Sequence, residues 1–167
     1  MRRGRALLAP FALLAALAGC GLRPMYAGGG SGAVAQGLAA VEVAPIEGRA
    51  GWLVRNALRD RLSQRGSAAA PRYRLDVLLD DELEGFGLLT DETVGRERRT
   101  LRARYQLVDL STGTILVDAS AGSDAGIDVV SSEFATIAAE QTALENLAVE
   151  VADRIVTRLT LTLRAQS

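Results

Sequence analysis

The chain switches between two hydrophobic periods, and the order of the switches constrains its fold more than any other feature. Leu101, Ala103, Tyr105 and Leu107 are apolar, while Arg102, Arg104 and Gln106 lie between them. Side chains in a strand alternate between faces, so this period of two predicts a strand with one buried face. Tyr73, Leu75, Val77 and Leu79 form a second such set, and Ile115, Val117, Ala119 and Ala121 a third. Val41-Glu42-Val43, ended by Pro45, is a short fourth strand. Two other segments repeat their apolar residues every three to four positions. Val54, Leu58 and Leu62 make one helical stripe within residues 52–65, with Gly66 as a C-cap after the turn Gly48–Gly51. Phe134, Ile137, Ala138, Leu144, Leu147, Ala148, Val151, Ile155 and Leu159 make a much longer one between Ser132 and Leu163. Ser131 or Ser132 is its N-cap, and the β-branched residues near its end predict fraying there.

The element order is therefore β-α-β-β-β-α. The predicted fold class is α/β: a two-layer sandwich in which a four-stranded mixed sheet packs on two helices. A helix between the first two strands makes them parallel neighbours. Tight connections at Asp91–Gly95 and Ser111–Gly113 make the later strands antiparallel. Trp52, the only tryptophan, reads as a core residue. Asp80–Glu84 and Gly85-Phe86-Gly87 read as a loosening of the second strand.

Composition narrows the chemistry. The chain has no histidine, no lysine and one cysteine, Cys20. Without histidine, neither Ser-His-Asp nor Cys-His catalysis is available, nor is a Cys/His zinc site, and a single cysteine forms no internal disulfide. No phosphate-binding or calcium-binding loop motif occurs. The chain reads as a non-enzyme with no cofactor. The acid run Asp80, Asp81, Glu82 and Glu84 is the one candidate for carboxylate catalysis on cell-wall sugars. It lacks an aromatic sugar platform and reads more simply as a solvated segment.

The N-terminus carries Arg2, Arg3 and Arg5, then an uncharged apolar run from Ala6 to Ala18, then Gly19 and Cys20. This is the build of a secretory signal, and the run is shorter than the roughly 20 residues that span a bilayer. Leu17-Ala18-Gly19-Cys20 resembles the lipobox of bacterial lipoproteins. The resemblance implies removal of residues 1–19 and acylation of Cys20 by a diacylglycerol on sulfur and an acyl chain on nitrogen. Several acyl chains hold a protein on a membrane, at about 0.8 kcal/mol per buried methylene. Gly21, where an aspartate would signal inner-membrane retention, directs the expectation to the outer membrane. The glycines of residues 27–37 predict a flexible tether, so residues 20–37 read as anchor and tether and 38–167 as one domain. Taking the three signal arginines from 19 basic residues and keeping all 20 acidic ones leaves the mature chain at net −4. That balance argues against nucleic-acid binding.

Cys20-Gly21-Leu22-Arg23-Pro24-Met25-Tyr26 is similar to the opening C-G-[FL]-R-P-[LM]-Y of the LptE family of outer-membrane lipoproteins. Ile46, Arg49, Gly51, Arg55, Asn56 and Leu58 also look like that family, as do Ala103–Leu107 and the alanine-rich final helix. The resemblance implies a non-enzymatic protein on the periplasmic face of the outer membrane. It implies partnership with the LptD barrel in assembling and exporting lipopolysaccharide. An auxiliary lipoprotein of an ABC-type periplasmic lipid-transport system is the alternative, and Arg23-Pro24-x-Tyr26 favours the first.

Alternation places Arg96, Arg98, Arg102 and Arg104 on one strand face with Thr100 and Gln106. Guanidinium binds phosphate in bidentate fashion, so Arg96, Arg98 and Arg99, nearest the hairpin tip, are candidates for binding the phosphates of lipopolysaccharide. The competing reading is a solvated face paired with Asp76, Asp80 or Glu82 of the neighbouring strand. Arg23, Pro24 and Tyr26, leaving the anchor, and Phe86 and Leu88, near the tip, are candidate partner contacts.

Overall fold

The computed structural model describes residues 32–63, 70–88 and 94–166. The elements are α1 (Ala33–Ala39), β1 (Val41–Val43), α2 (Gly48–Ser63), β2 (Tyr73–Leu88), β3 (Val94–Asp109), β4 (Ile115–Asp128) and α3 (Glu133–Ala165). The sheet order is β1-β2-β3-β4, with β1 parallel to β2 and both later pairs antiparallel. This is the expected mixed α/β arrangement with one more helix, α1. The glycines of residues 27–37 suggest a tether throughout, yet Ala33, Ala35 and Gln36, between Gly32 and Gly37, are good helix formers. The helix forms there because Ala35 and Leu38 find the core.

The core lies between one sheet face and the helices. Leu75, Leu101, Ala103, Tyr105, Leu107 and Val117 meet Val54 and Leu58 of α2 and Leu147, Val151, Ile155 and Leu159 of α3. The long stripe of α3 is thus the floor of the domain. Ser132 caps this helix, its side chain accepting from the Ala135 N–H, with Glu133 in the first turn where the dipole favours a negative charge. Its end stays helical to Ala165, and Thr157, Thr160 and Thr162 donate their hydroxyls to carbonyls four residues back.

Several sequence expectations are corrected. Trp52 is 63% exposed: at 100° per residue it lies about 200° round the helix from Val54, away from the buried stripe. Phe134 and Ile137 are also exposed, Phe134 at 84%. The reason is length: α3 has 33 residues and α2 only 16, so α2 cannot flank the whole of α3. Ile115 was placed with Val117 on the buried face but is exposed. A register shift at Leu107/Val108 sets Ile115 opposite Val108 while Val117 stays opposite Leu107, and one extra residue turns a side chain to the other face. The segment Gly48–Gly51 is the first turn of α2 itself. The second strand does not loosen at Asp80 but runs unbroken to Leu88, with Leu88 opposite Val94. Gly66 and residues 89–93 of the expected tip lie outside the described residues.

Candidate functional site

No described element covers the sheet face turned away from the helices, and β3 runs down its middle. Along β3, Arg96, Arg98, Arg102 and Arg104 are exposed, while Leu101, Ala103, Tyr105 and Leu107 are buried. The expected arginine strip therefore exists. Its surroundings come from the register. On β2, Glu84 stands opposite Arg98, Glu82 opposite Thr100 and Asp80 opposite Arg102. On β4, Asp128 stands opposite Arg96, Asp124 opposite Thr100 and Asp118 opposite Gln106. The basic centre is thus flanked by two acidic strands.

Most of the strip is engaged. Arg96 Nε donates to Asp128 Oδ1 at 2.9 Å, with both side chains largely in solvent. Arg104 Nη2 donates to Asp118 Oδ2 at 3.2 Å, and Gln106 Nε2 donates to the same oxygen at 2.9 Å. These two hydrogen bonds, Gln106's foremost, hold the Asp118 carboxyl below its ordinary pKa. The Arg98 guanidinium lies 5.2 Å from the centre of the Phe86 ring, within cation–π range. The ion pairs of Arg96 and Arg104 thus run to β4, not to Asp76, Asp80 or Glu82 of β2. Asp76 instead pairs with Arg74 on its own strand. Asp118 and Asp128 were missed as partners because the bulge sets their register, and no local signal announces a bulge. A shallow depression of about 520 Å³ lies along the middle strands, lined in part by Asp80, Thr100, Arg102, Arg104, Ser120 and Asp124.

Arg99 does not share this face. Its side chain points towards α3 and is only 16% exposed. Nε and Nη2 grip Asp81 Oδ1 and Oδ2 at 2.8 and 2.7 Å, and Nη1 donates to the Glu140 carbonyl of α3 at 3.1 Å. The fork ties β3, β2 and α3 together, and Asp81, as a hydrogen-bond acceptor, raises the Arg99 pKa. Phe86 is exposed and engaged by Arg98. Cys20, Arg23, Pro24 and Tyr26 lie outside the described residues.

The unequal roles give a prediction. Arg99→Gln should cost about 1–3 kcal/mol, the range for hydrogen bonds to a charged group that leave a partner unpaired. Arg96→Gln should cost about 0–1 kcal/mol, as exposed ion pairs do. Urea denaturation of the two variants measures the difference. Equal costs would show that Arg99 is not a structural clamp.

Among the described residues, no helix is long and apolar enough to cross a membrane.

A family model described as LptE, lipopolysaccharide-assembly, matches residues 38–159. Among solved structures, a chain from Caulobacter crescentus CB15 described as a lipoprotein superposes with a TM-score of 0.65 at 25% identity, over 81% of this chain and 98% of that one. The rare lipoprotein B of Shewanella oneidensis superposes with a TM-score of 0.52 at 15% identity, over 73% and 92%. A lipoprotein B from Nitrosomonas europaea gives 0.54 at 14%, over 73% and 86%. These last two likenesses concern the fold. No curated protein matches the chain.

Proposed function

Because the chain belongs to the LptE family of lipopolysaccharide-assembly proteins, we propose that it is an outer-membrane lipoprotein that partners an LptD-type barrel in bringing lipopolysaccharide to the cell surface. The observation that carries this reading is the extent of the family match, which runs from Leu38 through the sheet and into α3 to Leu159. It spans nearly the whole packed domain, so the family's architecture and its task come together. Cys20 is the acylated residue in this reading, residues 1–19 are removed, and the domain is held at the periplasmic face of the outer membrane.

The domain acts by packing and not by chemistry. On the open face Arg96, Arg104 and Gln106 are paired with the acids of β4, which leaves the acidic row of β2 available to a partner. Arg96 and Arg98, near the β2–β3 tip, are the residues offered to lipid phosphate; Arg99 enters only by fixing the tip's geometry. Arg23, Pro24 and Tyr26 after the anchor, with Phe86 and Leu88 at the tip, are the proposed contacts with the barrel. The test is depletion. Loss of this protein should lower the amount of folded LptD-type barrel and make cells permeable to large antibiotics. Unchanged barrel levels after depletion would refute the reading.

A further inference from the structure

Among the described residues, one edge of the sheet is left open. β1 pairs with β2 only at Tyr73, Arg74 and Leu75, so past Leu75 β2 has, among the described residues, a neighbour on one side alone. The hydrogen-bond phase shows which backbone groups remain. Leu110 N donates to Arg72 O, in line with the antiparallel register, so even-numbered residues of β2 bond towards β3. Odd-numbered residues bond the other way: Tyr73 N donates to Ala40 O, and Leu75 O accepts from Ala44 N. Beyond β1, the N–H and C=O of Val77, Leu79, Asp81, Leu83 and Gly85 therefore aim out of the sheet.

The opposite edge, β4, is treated differently. There Arg154 of α3 donates to the Gly122 carbonyl and to Ser123 Oγ, and Ser123 donates to Glu150. A charged side chain thus blocks the middle of that edge, a common defence against unwanted pairing. Among the described residues no such clamp reaches the outward groups of β2.

Charge names the occupant. Asp80, Glu82 and Glu84 line the open-face side of β2 and hold no ion pair among the described residues. Leu78, next in the same row, is 74% exposed. The sheet already shows what fits beside this row. β3, running antiparallel, sets Arg98 opposite Glu84, Arg102 opposite Asp80 and the stem of Arg104 opposite Leu78. A second copy of this chain is a poor occupant, because its own free edges offer no cations to this row: β2 carries the same acids, and β4 carries Asp124 with Asp118 and Asp128, whose arginine partners lie on β3. Like charges directly opposite one another destabilise a strand pair.

We propose that the β2 edge from Val77 to Gly85 receives an extended segment of a partner protein as an added antiparallel strand, with Arg or Lys at alternate positions facing Asp80, Glu82 and Glu84. Main-chain hydrogen bonds supply the affinity and the alternate charges set the register. The inference does not depend on the barrel reading, since it identifies the partner only by its strand chemistry.

The probe is a synthetic peptide with the β3 sequence from Arg96 to Leu107, added to the full-length protein in detergent. Residue-resolved amide exchange is the readout. The amides of Val77, Leu79, Asp81 and Leu83 should slow by about tenfold or more, as outward N–H groups become bonded, while even-numbered amides of β2 stay as they were. Two variants separate strand addition from charge attraction. Leu83→Pro removes an outward N–H without removing a bond to β3 and should weaken peptide binding severalfold. Glu82→Gln with Glu84→Gln should weaken it and make it less sensitive to salt. Binding that survives Leu83→Pro, or leaves the odd-numbered amides unprotected, would overturn the proposal, as would failure of the peptide to bind.

Discussion

Leu159→Ala should destabilise the domain by about 2–5 kcal/mol, the range for removing a buried leucine from a packed core. Leu159 has no exposed surface and belongs to the cluster that joins α2, α3 and the sheet. The loss has two parts: transfer of the missing methyl groups, and the cavity left by neighbours held in a helix and a sheet. Since domains of this size are stable by only about 5–15 kcal/mol, one such change is a large fraction of the whole. Phe134→Ala is the control. Phe134 lies on the same helix and reads in sequence as part of the same stripe, yet its exposure predicts a change within about 0.5 kcal/mol. Urea unfolding of both variants tests the pair; comparable losses would place the core elsewhere on α3.

Gly51→Ala should destabilise by about 1–3 kcal/mol, as overpacking does. The sign runs against helix propensity, which favours alanine over glycine by about 1 kcal/mol in a helix interior. Space decides it. A Cβ at residue 51 would stand 2.6 Å from the Ile46 carbonyl oxygen and 2.7 Å from its carbon, both backbone atoms that cannot rotate aside. The chain before α2 passes close over its first turn, and only a glycine admits it. Gly126→Ala supplies the contrast, because nothing lies within 4 Å of a Cβ there. Thermal unfolding of the two should show a clear loss at position 51 and little change at 126. A stabilised Gly51→Ala protein would refute the close approach.

The legible part of the fold was the part governed by periodicity. Leu101 to Tyr105 alternate cleanly because one face is buried, and that burial is what the pattern records. The parallel β1–β2 pair followed from a helix between two strands. Trp52 and Phe134 were misplaced for a different reason. Hydrophobicity states what a side chain would gain by burial, but whether a neighbour is present to bury it depends on the lengths of α2 and α3. The acids of β2 resembled a loop because charge is usually solvated. They form a strand because β3 lies beside them in register with arginines opposite Asp80 and Glu84.

The candidate site divides the same way. Alternation placed Arg96, Arg98, Arg102 and Arg104 on one face, as the structure does. The same alternation sets Arg99, next to Arg98 in sequence, on the opposite face with Leu101, but it could not name the partners found there, Asp81 and the Glu140 carbonyl. Nor could it find the pairing of Arg96 with Asp128, which joins residues far apart in sequence through a bulged register. Long-range partners of charged side chains are set by tertiary geometry, and local pattern carries no trace of them.

The central claim is that this protein works as the packing partner of a lipopolysaccharide-assembly barrel. Affinity purification of the tagged full-length protein from detergent-solubilised outer membranes, with mass spectrometry of what accompanies it, tests that claim most directly. The account predicts recovery of an LptD-type barrel. Recovery of the components of a periplasmic lipid-transport system in its place would contradict it.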